Sequence, residues 1–295
     1  MSAKVYEIIT NKLIEKIESG VVPWVKPWKG AGAMNFDSGK EYRGINCLLT
    51  SGGSTPYFMG LGAIRDHGGR VKDGEFFNKA YQVVFWHFPK KKAEATPEDE
   101  EDGSFKGVWM RYYNVWNLDQ IENLPEDYVE LRKLKYEGAR NPDTSPIEEA
   151  EKIVFGMPDI PVMMIGSKAC YRPSTDEVFM PDEERFTGMQ EYYSTLLHEL
   201  IHSTGHKKRL DRKGIMEIAA FGDRNYSEEE LVAEMGSAFL CGMCGIETVI
   251  ENQASYLASW LKVLKETPKM LINSAQRAQK AADYILNIKK GKVMA

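Results

Sequence analysis

Histidine is scarce in this chain: there are five in 295 residues, and three of them (His198, His202 and His206) fall within nine positions. Cysteine is scarcer still. Four cysteines at irregular spacing (Cys47, Cys170, Cys241, Cys244) exclude a disulfide-dense secreted scaffold. They also exclude a four-sulfur metal site, because Cys241-Gly-Met-Cys244 has no second C-x-x-C to complete it. Its small apolar neighbours, Ala238-Phe-Leu-Cys-Gly-Met-Cys244, read as a buried helix, which assigns both thiols to core packing. No apolar run reaches 18 residues, which argues against a membrane span and a membrane partner. No basic-plus-apolar leader opens the chain, and a cytoplasmic location is the expectation.

What is present is an ordinary globular composition, 43% hydrophobic and 27% charged, with enough length for two domains. The net charge of −5 is unevenly spread. Residues 1–90 hold 12 Lys and Arg against 8 Asp and Glu, so the front carries +4 and the remaining 205 residues −9. A basic front half points to a polyanionic partner.

Apolar residues at Val5, Ile9, Leu13 and Ile17 predict a first helix from Val5 to Ser19, closed by Gly20. Pro23-Trp-Val-Lys-Pro-Trp-Lys29 follows, rigid, aromatic and basic. Tyr81 to Phe88 and Val108 to Trp116, rich in β-branched and aromatic residues, read as two strands. Between them Lys90, Lys91 and Lys92 pass into Pro97-Glu-Asp-Glu-Glu-Asp-Gly103, a solvated tip with no assigned chemistry. Residues 126–146 are charged and end in a Pro/Asp/Ser loop, where the domain boundary is placed; Ser145 should cap the next helix with Pro146 at its first position. Beyond it come a strand near Val162 to Gly166 and a hairpin of 169–172 and 178–180. Two closing helices follow, one through Tyr256, Trp260, Val263 and Leu264 and one opening at Thr267-Pro268.

The densest chemistry lies in Ser194-Thr-Leu-Leu-His-Glu-Leu-Ile-His-Ser-Thr-Gly205, an H-E-x-x-H pattern in an apolar helical setting. Residues i and i+4 of a helix share a face, so the imidazoles of His198 and His202 can reach one Zn²⁺ ion, with Glu199 beside the open coordination position. Zinc lowers the pKa of a coordinated water from about 15.7 to about 7, and a carboxylate in the place of Glu199 can take that proton and deliver it to a leaving amine. His206 should not share the ion. It would lie roughly 12 Å from His198 along a continuous helix, and Gly205 is expected to end the helix first. Tyr171 to Met180, ahead of this helix, is a candidate rail for an extended peptide.

Catalytic zinc usually takes three protein ligands, so one more must come from elsewhere. Tyr226-Ser-Glu-Glu-Glu-Leu-Val-Ala-Glu-Met-Gly236 offers four glutamates; Glu230 is preferred, with Glu234 and Glu229 as alternatives. The run Glu230 to Glu234 resembles the Glu-x-x-small-acid pattern of gluzincin metallopeptidases, which implies Glu230 as ligand and Glu234 as the residue orienting a ligand histidine. Ser227 and Glu230 also satisfy a capping box, which needs no metal. For the oxyanion, Tyr192, Tyr193 and Tyr226 are the candidates.

The chain as a whole resembles the ArdC family of antirestriction proteins. The resemblance rests on Val22-Pro-Trp-Val-Lys-Pro-Trp28, Tyr42-Arg-Gly-Ile-Asn-Cys-Leu-Leu49, Val83-Val-Phe-Trp86 and Tyr113-Asn-Val-Trp-Asn-Leu-Asp-Gln120. It continues through Tyr171-Arg-Pro-Ser-Thr-Asp176, Tyr193 to His206, and Glu229-Glu-Leu-Val-Ala-Glu234. It implies an α+β protein of two domains: an N-terminal domain, 1–130, that binds single-stranded DNA, and a C-terminal zincin-like metallopeptidase domain, 146–295. The implied role is to shield incoming mobile-element DNA from restriction endonucleases. Bases stack on aromatic rings while Lys and Arg follow phosphates, which makes Trp24, Lys26, Trp28, Lys29, Tyr42, Arg43 and Asn46 the candidate DNA contacts. The acidic tip at 97–102 should point away from any DNA path. Three readings of function stand: a DNA-dependent metallopeptidase whose protein substrate is, for example, a restriction enzyme; a DNA-binding protective protein with a structural or vestigial zinc site; and a general zinc peptidase.

Overall fold

The computed structural model describes residues 2–19, 32–76, 79–87, 109–137, 145–212, 215, 224–246, 261, 264–265 and 267–288. Trp24, Lys26, Trp28, Lys29, the acidic tip and the predicted helix through Tyr256, Trp260 and Val263 lie outside them.

The chain is α+β with two domains. Its first half runs α1 (Ser2–Glu18), β1 (Met34–Asn35), α2 (Ile45–Leu49), β2 (Tyr57–Gly60), α3 (Leu61–Asp66), β3 (Arg70–Val71), β4 (Tyr81–His87), β5 (Trp109–Asn117), β6 (Ile121–Glu122) and α4 (Glu126–Glu137). The two predicted strands are β4 and β5, paired antiparallel from Tyr81↔Val115 to His87↔Trp109. They form one flank of a four-stranded sheet ordered β1-β2-β5-β4. Side chains of a strand alternate between faces, and here each face meets a different core. Val83 and Val115 pack with Tyr42 and Phe58, whereas Val84 and Met110 turn toward the helices. Helix α4 carries no strong apolar stripe of its own and is held by its aromatics and one cation. Tyr128 and Tyr136 pack against Phe36, and Arg132 donates to the carbonyls of Phe36 and Asp37.

The second half runs α5 (Pro146–Phe155), β7 (Val162–Ile165), β8 (Cys170–Arg172), β9 (Glu177–Met180), α6 (Met189–Ser203), α7 (Arg224–Cys244) and α8 (Pro268–Ile285). Ser145 caps α5 in a reciprocal capping box with Glu148, with Pro146 opening the helix. In the three-stranded sheet β9 is central, parallel to β7 and antiparallel to β8. Only β8, of the stretch Tyr171 to Met180, therefore presents an edge. Cys241 and Cys244 are buried on α7, and burial pushes the Cys244 thiol up to about 12, a packing environment rather than a reactive one.

The largest core joins the two halves. Ile9, Leu13 and Ile17 of α1 and Leu48 of α2 share one apolar cluster with Leu200, Leu231, Leu271 and Ala278 of the C-terminal helices. Polar ties follow the same seam: Arg43 pairs with Asp283, and the Gly44 amide donates to Gln279 Oε1 at 2.8 Å. Among the described residues no helix is long and apolar enough to cross a membrane.

Asp176 ties the β8–β9 turn to the segment after α6. Its carboxylate accepts from Arg209 at 2.8 and 3.1 Å and from the Tyr171 hydroxyl at 3.0 Å, and it also faces Lys208 and His206. The Arg209 side chain is 1% exposed, so its charge depends on this partner. Burial alone would raise the Asp176 carboxyl, but the Arg209 and Tyr171 hydrogen bonds hold it below the usual carboxylate range. A depressed carboxylate contributes stability above its unfolded pKa and loses it as pH falls through the folded value. Asp176→Asn should cost about 3 to 5 kcal/mol at neutral pH in urea unfolding, because it leaves a buried guanidinium uncompensated. The deficit relative to wild type should shrink as the pH drops below the carboxylate range.

Candidate metal centre

Helix α6 is fixed by an apolar face, with Leu196, Leu197, Leu200 and Ile201 all buried. It ends at Ser203, and the Thr204 amide closes it on the Leu200 and Ile201 carbonyls, both at 3.1 Å. Gly205 follows in a turn, so His206 leaves the helix axis and its ring goes to Asp176, Nδ1 to Oδ2 at 3.7 Å. It takes no place at the two helix histidines.

Those two imidazoles converge, Nε2 to Nε2 at 3.1 Å. Helix α7 delivers Glu230 to both, with Oε2 3.7 Å from His198 Nε2 and Oε1 3.5 Å from His202 Nε2. Ligand atoms of His198, His202 and Glu230 all lie within 4.8 Å of one another, a grouping that one metal ion can bridge. The approach of the helices depends on Gly236. A Cβ there would sit 2.7 Å from Ile201 Cδ1 and 3.0 Å from both of its γ carbons, so any larger residue meets the branched core of that side chain.

Each histidine also has a carboxylate behind it. His202 Nδ1 is 3.4 Å from Glu229 Oε1, and His198 Nδ1 is 4.0 Å from Glu234 Oε1. Such partners orient a ligand ring and leave its Nε2 facing the ion. Glu229 is itself held by Arg212, whose Nη2 and Nε donate to it at 2.5 and 3.1 Å. The same guanidinium reaches the Ile201 carbonyl at 2.9 Å and Thr204 Oγ1 at 2.5 Å, closing the negative end of α6. Arg212 and the holding role of Glu229 carry no sequence signal: no spacing rule joins a cation past the end of one helix to an acid on the next.

The electrostatics call for a cation. Burial pushes His198 down, but Glu230, Glu199 and Glu234 outweigh it and raise its pKa to about 9; His202 is raised against the same burial by Glu229 and Glu230. Burial lifts Glu229 too, yet the Arg212 charge and the His202 and Arg212 hydrogen bonds bring it down to about 2. Burial raises Glu234, and the Glu230 charge adds to that. Glu199, buried on α6, completes a group of four carboxylates around two imidazoles and one guanidinium. Two nitrogens and a carboxylate in this surplus of negative charge suit a divalent metal. Edge strand β8 lies beside α6, and after burial the Glu199 charge is the next influence raising the Cys170 thiol.

Other expected site residues fall elsewhere. The Tyr193 hydroxyl donates to Glu151 at 3.2 Å, Tyr192 packs its ring against Phe186, and the side chain of Tyr226 lies outside the described residues. Of the described candidate DNA contacts, Tyr42 is buried, Arg43 is paired with Asp283, and Asn46 uses both ends of its amide on Val84, at 2.9 and 2.7 Å. The structure gives these three protein partners or a buried setting and does not gather them into one exposed patch.

Comparison with known proteins follows this division. Residues 148–277 match the family described as zincin-like metallopeptidase, and residues 3–116 match the N-terminal domain of anti-restriction factor ArdC. The crystal structure of antirestriction ArdC from the R388 plasmid, in its metal-free form, is 30% identical, with 96% of each chain covered and a TM-score of 0.70. This chain belongs to the ArdC family of antirestriction proteins. The Mn(II)-bound form of R388 ArdC is similar to the same extent, 29% identical over 96% of this chain and 97% of that one with a TM-score of 0.70, so an ArdC protein has been seen with a divalent metal. A 30% identical relative, protein y4eC of Sinorhizobium fredii, matches 95% of this chain and 91% of its own length. Two Escherichia coli proteins named DNA primase TraC are 31% and 32% identical over 98% and 95% of the chain. This ArdC-family chain spans only 20% and 27% of their lengths.

Two variants test the centre. Glu229→Gln should weaken metal affinity about 10- to 100-fold in a competitive chelator titration, since it removes the negative charge behind His202 and the ion pair with Arg212 that orients it. Gly236→Ala should reduce stability by about 1 to 3 kcal/mol in urea unfolding, with a parallel loss of metal affinity, because overpacking drives the two helices apart.

Proposed function

We propose that this ArdC-family chain binds single-stranded DNA through its N-terminal domain and holds Zn²⁺ at His198, His202 and Glu230, protecting incoming mobile-element DNA from restriction endonucleases. The observation that carries the metal reading is the convergence of those three side chains, each histidine backed by its own carboxylate. Two histidines and a glutamate are a ligand set of catalytic zinc. A zinc ion held there supplies Lewis-acid polarisation of a carbonyl. Glu199 accepts a proton from the attacking water and returns it to the leaving amine. Glu234 and Glu229 keep the imidazoles in the tautomer that presents Nε2. The edge of β8, Cys170–Arg172, beside the field of Glu199, receives an extended peptide by adding it to the sheet. The protein substrate is of the class of restriction enzymes.

One observation favours a second reading, in which the metal is structural or vestigial and DNA binding alone protects: the Tyr193 hydroxyl is committed to Glu151 and does not serve as an oxyanion donor. Glu199→Gln separates the two. Under the peptidase reading the variant keeps its metal, loses proteolysis by at least about 100-fold, the scale of a general base, and loses protection of single-stranded DNA in a restriction assay. Full protection by a variant that cannot cleave establishes the second reading instead.

A further inference from the structure

Strand β2 is shorter than its neighbour β5. Their pairing stops at Gly60↔Val115, where the chain turns into α3, and among the described residues no strand pairs with the rest of β5 on that side. A cleft of about 520 Å³ opens there, lined by Tyr42, Phe85, Tyr113 and Trp116 with the amides of Asn35 and Asn114. Gly60 and Gly62 form part of its rim, and a Cβ on either would meet open space.

Two features of this cleft are not accounted for by folding. Phe85 and Tyr113 stand on one sheet face in an edge-to-face pair, ring centroids 5.6 Å apart, yet they are 46% and 43% exposed. Two large rings left in water at adjacent positions offer a π surface that the fold does not use. Arg111, the cross-strand partner of Phe85, is exposed on the same face. Second, Tyr42 is 6% exposed and lines the cleft, and its hydroxyl has the Asn35 side chain beside it but no well-formed hydrogen bond among the described residues. Burial pushes that hydroxyl up to about 12, with the Asn35 side chain pulling the other way, so it is a protonated donor at neutral pH. A buried donor without an acceptor costs stability, which calls for a ligand that completes it.

We propose that this cleft receives an unstacked nucleobase of single-stranded DNA: of the perpendicular pair Phe85 and Tyr113 one ring stacks on the base while the other packs against it edge-on, the Tyr42 hydroxyl donates to its polar edge, and Arg111 meets the adjoining phosphate. The proposal rests on the single-strand reading above and gives it a site. An aromatic platform accepts any base by its π face, amide and hydroxyl groups meet the edge, and a cation tracks the backbone. A duplex does not fit the same cleft without flipping a base from its stack, which costs energy a single strand does not spend. The site accounts for an N-terminal domain whose predicted contacts Arg43 and Asn46 are engaged within the protein.

The test is fluorescence anisotropy of the full chain with labelled oligo-dT, an abasic strand of equal length, and duplex DNA. Phe85→Ala and Tyr113→Ala should each weaken oligo-dT binding by between about 5-fold and about 100-fold, the range for loss of one stacking partner, while leaving abasic-strand affinity unchanged. Phe85→Trp should restore binding. Tyr42→Phe should lower oligo-dT affinity without lowering the melting temperature, since the hydroxyl makes no well-formed internal bond to lose. Arg111→Ala should reduce the slope of log affinity against log salt by about one. Wild-type affinity in the Phe85 and Tyr113 variants, with oligo-dT still bound by the parent, overturns the cleft and leaves single-strand binding standing. Absence of oligo-dT binding by the parent chain overturns both.

Discussion

The contact between α6 and α7 at Ile201 and Gly236 governs the metal centre. A glycine inside a helix costs about 1 kcal/mol relative to alanine, and this one stands where a Cβ would penetrate the branched Ile201 side chain. The close approach brings Glu230 to two imidazoles on the opposing helix, and it also brings Glu229 and Glu234 behind them. Arg212 then locks the pair from outside, binding Glu229 on one helix and the terminal carbonyls of the other. Side chains on helices backed by buried charges are held in place before any ion arrives, the arrangement that metal binding at His198, His202 and Glu230 would need.

The same helices extend the influence of the N-terminal half. Helix α1 and α2 contribute to the apolar cluster that includes Leu200 and Leu231, so the scaffold of the metal centre is completed by residues from the far end of the sequence. The two family matches meet along a shared core rather than across a thin linker, and Arg43 with Asp283 and Gly44 with Gln279 stitch that seam. The proposed base cleft lies on β5, whose other face carries Met110 into that shared core.

How much of this was legible in the sequence depended on how local each signal was. His198, Glu199 and His202 are readable because one helical turn puts them together, and Ser145 with Pro146 because a cap is a short-range device. Strands β4 and β5 are readable from their β-branched and aromatic runs, whereas β1, β3 and β6, two residues each, leave no periodicity to detect. Arg43 and Asn46 look like nucleic-acid contacts in a basic, aromatic stretch; their partners, Asp283 and Val84, are far away in the chain and only the fold reveals them. Glu229 and Glu230 are adjacent acids at the start of one helix; the sequence pattern prefers Glu230 as ligand but offers Glu229 only as an alternative ligand, with no sign that it stands behind a histidine ring. The packing of α7 against α6, close at Gly236, brings Glu229 to Nδ1 and Glu230 to Nε2 of His202.

The most direct test of the metal centre is a zinc-edge anomalous difference map from crystals grown with equimolar Zn²⁺. The expected result is one strong peak about 2.0 to 2.2 Å from His198 Nε2, His202 Nε2 and a Glu230 carboxylate oxygen, with Glu229 still on Arg212. A peak coordinated by Glu229 or Glu234 in place of Glu230, or no peak between the two histidines, would contradict it.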